Sequence, residues 1–349
     1  MAYTTINKST DYFNTKLYTG NGGTQSITGV GFQPDWTWIK RRDSSGSHIL
    51  TDAVRGTGKI IESNGNGAEF NEGSNGVSAF NSDGFSIGNL SSINTNSGTF
   101  AAWNWKAGTG QGSSNTDGSI NTTYTSVNTT AGFSISTWTG TGANATVGHG
   151  LGTKPEMIIV KNYSAAQNWC VYHSGLGGTE GHKAIYLDLN YNEVDQTGFW
   201  NDTAATSSVF SLGTNTNTNG SGASMIAYCF APKTGYSKFG SFTGNGNADG
   251  SFIYTGFKPA FVLAKNASIN DWWSMYDNKR LGFNSSDSPR LLFPDVTSAE
   301  STSKMLDFTS NGFKIRDSNG AINGSGNTVI YMAFGQSLVG SNNVPCTAR

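Results

Sequence analysis

One pattern occurs three times in this chain and limits the fold more than any single residue does. Tyr18-Thr19-Gly20-Asn21-Gly22 returns as Trp138-Thr139-Gly140-Thr141-Gly142 and as Phe242-Thr243-Gly244-Asn245-Gly246. Each copy is followed by a glycine-apolar turn closed by a proline: Pro34, Pro155 and Pro259. A lysine lies six residues past each proline (Lys40, Lys161, Lys265), and Asp52, His173 or Asp277 lies eighteen past. Later come Phe85-Ser86-Ile87, Phe210-Ser211-Leu212 and Phe313-Lys314-Ile315, with Trp105, Phe230 and Phe334 beyond them. So many landmarks in one order mark a triplicated unit, which has to be recognised before the fold is assigned.

A unit of about 100 residues is large enough to hold its own core. The sequence therefore predicts three domains rather than a solenoid: 12–107, 124–233 and 234–337. Residues 1–11 read as an arm and 338–349 as a polar tail. The Gly/Ser/Asn/Thr stretch 108–123 reads as a flexible linker. Segments two and three are joined only by Pro232 to Gly235, which predicts a fixed or narrowly hinged pair.

Alternation with period two dominates, as in Phe133, Ile135 and Thr137 with Ser134 and Ser136 between them. The runs after the prolines are more apolar: Trp36 to Ile39, Met157 to Val160 and Phe261 to Ala264. A short continuous run of this kind reads as a central strand covered on both faces. Small residues in the last strand of each unit (Ala101 and Ala102, Ala227, Ala333) let a neighbouring sheet approach closely. Ser298 to Leu306 is the one stretch that reads as a short helix. The fold class predicted is all-β, with three tandem antiparallel β-sandwich units, jelly-roll-like, of about seven or eight strands each.

Charged residues make up 13% of the chain and the net charge is −1, so there is no electrostatic footprint for nucleic acid. The one basic cluster, Lys40-Arg41-Arg42, reads as a solvated hairpin end. Three cysteines (Cys170, Cys229, Cys346) do not make a disulfide framework, and reduced, partly buried thiols are expected. No apolar run approaches the roughly 20 residues of a membrane-spanning helix. The start Met1-Ala2-Tyr3-Thr4-Thr5 lacks a signal-peptide pattern, which predicts synthesis in a cytoplasm.

Catalytic patterns are scarce. His48, His149, His173 and His182 fall in no metal spacing, and no Cys-x-x-Cys occurs. No cofactor or metal is expected. Asn245-x-Asn247-x-Asp249-Gly250 has the start of a calcium loop but carries Gly256 at its twelfth position instead of glutamate, so it reads as a polar turn. Asp52 and Asp277 each have an arginine three residues on (Arg55, Arg280) and read as structural pairs rather than as the two carboxylates of a glycosidase cleft.

Aromatic residues are the best binding candidates. Trp169 and Trp273 share a repeat position and read as core. Trp200 with Asn201 and Asp202, and Trp272 with Asp271, are specific to single units. Exposed indole beside amide and carboxylate groups suits sugar rings, whose apolar face stacks while hydroxyls hydrogen-bond. These five residues are the predicted binding set.

Asp11-Tyr12-Phe13-Asn14-Thr15-Lys16, the Tyr18 to Gly22 turn, Phe32-Gln33-Pro34-Asp35-Trp36 and Trp103-Asn104-Trp105-Lys106-Ala107-Gly108 resemble a large family of virion proteins from tailed bacteriophages of marine bacteria. Tyr236 to Ser241, running into Gly256-Phe257-Lys258-Pro259-Ala260-Phe261, is similar to the same family. Its members are often labelled tail fibre or structural proteins. The resemblance implies a place on the virion exterior, after synthesis in the host cytoplasm. The function expected is a non-enzymatic tail fibre or appendage adhesin contacting host surface polysaccharide. The alternatives are a capsid decoration or cement protein and, less favoured, a glycan-degrading tailspike. Expected partners are other virion proteins through the arm 1–11, and further copies of the chain in the particle. Neither nucleic acid nor membrane insertion is expected.

Overall fold

The computed structural model describes residues 4–280, 284 and 290–337. The predicted tail 338–349 with Cys346, and Met1 to Tyr3, lie outside the described residues. The fold is all-β, made of antiparallel sheets. In segment one, Phe13–Thr19 pairs with Thr99–Trp105, which pairs with Trp36–Arg41, which pairs with His48–Asp52. Segment two has the same order in Phe133–Thr139, Ser224–Phe230, Met157–Asn162 and Cys170–His173. Segment three has it in Ser237–Thr243, Thr328–Gly335, Pro259–Asn266 and Ser274–Asp277. Pro34 and Pro155 stand just before their strands and Pro259 opens its own, where no ladder N–H is needed.

A smaller sheet makes each segment a sandwich. It contains Gln25–Thr28 and Gly84–Ile87 in the first, Ala145–Gly148 and Val209–Leu212 in the second, and Phe252–Tyr254 and Gly312–Ile315 in the third. Among the described residues the α-helices are single turns: Ser91–Asn94, Thr197–Trp200, Thr216–Asn219 and Gly320–Asn323. The helix expected at Ser298 to Leu306 does not form. Ser301 instead bridges Leu291, and Leu306 begins the strand Leu306–Thr309.

The recurring Thr-Gly turn has one physical cause. Three of these helices end in a buried asparagine, Asn94, Asn219 or Asn323, which clamps the turn. Asn94 Oδ1 accepts from Asn21 N at 2.9 Å, and its Nδ2 donates to Gly23 O and Gly88 O. Asn219 holds Thr141, Ala143 and Gly213 in the same way, and Asn323 holds Asn245, Asn247 and Asp317. A Cβ on Gly20, Gly140 or Gly244 would lie 2.2–2.3 Å from a helix-end carbonyl, so only glycine fits there.

The cores differ from the expectation of three self-sufficient domains. Each large sheet turns one face to its own small sheet, but the other faces of all three meet in one shared core. Period two sorts the residues: Trp36 and Trp38, Met157 and Ile159, and Phe261 and Leu263 enter the shared core. Ile39, Ile158 with Val160, and Val262 with Ala264 enter the segments' own cores. At the centre Phe334 lies 5.9 Å from Trp105 and 6.2 Å from Phe230, ring centre to ring centre. The apolar post-proline strands are indeed covered on both faces, one cover being the neighbouring segments.

The connecting segments follow from this packing. The stretch 108–123, expected to be a flexible linker, is laid down on the body. Asp35 accepts from Ala107 N and Gly110 N, Ser113 bridges Thr125, and Ile120 bridges Val147. The described part of the arm is not free either. Ile6 is buried in the shared core, and Thr10 N donates to the Ser337 hydroxyl.

Candidate functional site

The three segments close a ring, and the charged landmarks hold its seams. Asp52 Oδ2 accepts from the Tyr228 hydroxyl of segment two at 2.8 Å. His173 Nε2 donates to Tyr331 O of segment three at 3.1 Å. Asp277 Oδ2 accepts from Trp103 Nε1 of segment one at 3.0 Å. The predicted Asp–Arg pairs are present, with Arg55 Nε and Arg280 Nε each 2.6 Å from their aspartate and all four side chains buried. Gly175 N donates to His173 Nδ1, so Nε2 carries the proton. Burial lowers the His173 pKa to about 4, which keeps the ring neutral at pH 7.

A second cyclic set lies beside the first. Trp169 Nε1 donates to Glu62 O, and Trp273 Nε1 donates to Tyr186 O. His48 occupies the equivalent place in segment one and faces Phe293 O, short of hydrogen-bond geometry. Main-chain bonds join Glu69 N to Tyr163 O, Glu193 N to Ala267 O and Glu300 N to Arg42 O. Lys40, Lys161 and Lys265 are buried, and burial lowers each to about 8. Their ammonium groups donate to main-chain carbonyls; Lys40 reaches Thr297 O and Lys161 reaches Asn66 O across seams. Arg42, read as part of a solvated hairpin end, instead pairs with Glu300 at 2.8 Å across a seam. This polar chemistry is occupied with holding the segments together.

The predicted binding residues divide. Trp200 is 1% exposed and belongs to the core of segment two, edge-on to Tyr172, with Nε1 donating to Lys183 O. Its unit-specific place and polar neighbours suggested a surface loop. The one-turn helix Thr197–Trp200 rotates the ring inward, and left-handed Asn201 then ends the helix. Asn201 Oδ1 accepts from Asn144 Nδ2, and Asp202 Oδ2 accepts from Thr197 Oγ1. These three residues do not form a stacking surface. Trp169 and Trp273 are buried, as expected of a repeat position.

Trp272 is 46% exposed. It stands outward because the next residue, Trp273, points into the shared core. Its ring sits edge-on to Phe293, with centres 5.4 Å apart. Asp271 Oδ1 accepts from Trp272 N. From across the seam Asn192 N donates to Asn270 Oδ1, bringing Tyr191, 50% exposed, to the same edge. The patch thus combines two exposed aromatic side chains with amide and carboxylate groups from two segments. Sequence reading missed Tyr191, Asn192 and Asn270, because only the seam brings residues 191 and 272 together.

The calcium-like loop is a polar turn. Asn245 Oδ1 accepts from Asn247 N, Asn247 Oδ1 accepts from Asp249 N, and Asp249 pairs with Lys314 at 2.8 Å. Cys170 and Cys229 are free and buried, and burial raises both thiols. No helix among the described residues is long and apolar enough to cross a membrane.

No curated protein matches the chain. A family model described as a domain of unknown function, DUF7483, matches residues 8–337, and the chain belongs to that family.

Proposed function

We propose that this chain is a non-enzymatic virion surface protein that holds a bacterial surface glycan against the Trp272 patch. The resemblance to phage virion proteins supplies the setting. The observation that carries the binding role is the exposed Trp272 ring at a seam that also carries exposed Tyr191, joined there through Asn192 N and Asn270 Oδ1, with Asp271 alongside. Repetition acts as an internal control. The positions equivalent to Trp272 are Ser47 and Asn168, and those equivalent to Tyr191 are Gly67 and Ser298. The ring closes without aromatic residues there, so packing does not require them. An indole face takes the apolar face of a sugar while the amides bond its hydroxyls.

The test is binding to an array of bacterial surface polysaccharides. Trp272→Ala should weaken binding by about 1–3 kcal/mol with the melting temperature nearly unchanged. Trp200→Ala should instead cost about 3–5 kcal/mol of stability. Release of oligosaccharides, or full binding by Trp272→Ala, contradicts the reading. The decoration alternative draws its support from the three-fold arrangement of the segments, which suits a shell position of matching local symmetry. A reconstruction of the intact particle separates the two.

A further inference from the structure

A cleft of about 300 Å³ opens where segment two hands over to segment three. Thr234, Ser237, Lys238, Tyr254 and Thr255 line it. That volume is at the lower end of small-ligand sites, enough for roughly one sugar ring. Tyr254 is 56% exposed at its mouth, and Phe252, 47% exposed, lies on the same face of the strand Phe252–Tyr254. Lys238 Nζ lies 5.4 Å from the Tyr254 ring centre and donates to Tyr254 O at 2.7 Å. An ammonium has three donors, and this main-chain bond uses one. Lys238 makes no ion pair among the described residues, although Glu156 of segment two feels its charge. A cation on an aromatic wall, with Glu156 beyond ion-pair distance and no other carboxylate paired to it among the described residues, is suited to an anion carried on a ring.

The repeats again separate need from use. In register, Lys238 lies opposite Ala333, where segments one and two place Asn14 opposite Asn104 and Ser134 opposite Cys229. Tyr254 takes the place of Thr28 and Gly148, and Phe252 that of Ser26 and Thr146. The same sandwich forms twice with glycine or small polar residues at these three positions. The lysine and both rings are therefore additions to the fold.

We infer that this cleft binds one anionic sugar residue, the Tyr254 ring taking the sugar face and Lys238 the carboxylate or sulfate. This inference rests on the glycan-binding reading and adds a charge preference at a second surface. Facing Lys238 are the Tyr254 ring and carbonyl and, more distantly, Glu156; Thr234, Ser237 and Thr255 complete the lining of the cleft, the Ser237 and Thr255 hydroxyls being engaged with Lys233 N and with Phe257 O and Asn311 O.

The experiment is calorimetric titration of the full chain with oligogalacturonate and with a sulfated galactan oligosaccharide. Each is compared with its neutral form, carboxyl-reduced or desulfated. The anionic form should bind about tenfold more tightly than its neutral partner. Lys238→Met should remove that difference at unchanged melting temperature. Tyr254→Ala should weaken both forms. The arm that shows the preference identifies carboxylate or sulfate as the anion. Equal binding of charged and neutral forms, or a preference that survives Lys238→Met, overturns the inference. If neutral oligosaccharides bind through Trp272 without any anionic preference, the inference fails and the glycan reading stands. If no oligosaccharide binds, both fail.

Discussion

Replacing Asp52 by alanine tests whether the three segments are one folding unit. The Asp52 carboxylate accepts from Arg55 N at 2.8 Å, Arg55 Nε at 2.6 Å and the Tyr228 hydroxyl at 2.8 Å. The side chains of the pair are 0–1% exposed. Deleting one member of a buried pair leaves the other charge uncompensated and costs about 3–5 kcal/mol. Arg55 keeps Glu69 at 2.9 Å, which points to the lower end, about 3 kcal/mol. Tyr228→Phe removes only the seam bond and should cost about 1.5–3 kcal/mol, as for a bond to a charged group. The measurement is urea unfolding followed by hydrogen exchange resolved by segment. With a shared core, residues 13–105, 133–230 and 237–334 should lose protection in one transition at a lowered midpoint. Early loss confined to 13–105, with the other segments at the wild-type midpoint, would refute the shared core. A total cost below about 1 kcal/mol would refute the ion-pair argument.

Two further outcomes follow from buried polar groups. Asn323→Ala removes the acceptor for Asn245 N and the donors to Asn247 O and Asp317 O, so it should cost about 2–4 kcal/mol at about 1 kcal/mol per bond. Faster hydrogen exchange should then concentrate at residues 244–250; unchanged exchange there would remove the clamp from the account. Burial raises Asp295 to about 7. Between its unfolded value near 4 and that point the folded state holds more protons, so the Asp295 contribution to stability falls as pH rises through this window. Asp295→Asn reproduces Asn64 of segment one and should gain on the wild type by about 3–4 kcal/mol from pH 4 to pH 7.5. Parallel urea midpoints across that range would contradict this.

Local chemistry was legible in the sequence, and long-range assembly was not. Alternation at Phe133 to Thr137 and the apolar runs after the prolines identified strands, because a pleated strand enforces period two. The continuous apolarity of Met157 to Val160 required two covers but did not say that one came from other segments. Asp52 and Arg55 were recognisable as a pair at a spacing of three, whereas their bond to Tyr228 spans 176 positions. Trp272 was read as a surface residue because it is specific to one unit and stands beside Asp271, and it is exposed. Trp200 was misjudged because a single helical turn, too short for any periodic signal, decides its direction. The glycines of the repeated turn were visible, but the helix end whose carbonyl requires them, and whose asparagine clamps the turn, lies far along the chain.

The ring closure sets an order of events during synthesis. The inner face of segment one carries Phe13, Trp36, Trp38, Trp103 and Trp105, and part of its cover is Phe261 and Phe334. At ribosomal speeds of about 5–20 residues per second, those aromatic rings wait roughly 10–50 seconds for residue 334 to emerge. Segment two can cover Trp36 earlier through Phe133, Tyr228 and Phe230, but Phe13 and Trp105 stay without their segment-three partners until then. A polypeptide halted after segment two would keep that part of the face uncovered permanently. Yield in a heterologous host should therefore depend on holdase chaperones and on translation rate more than on the stability of the finished ring.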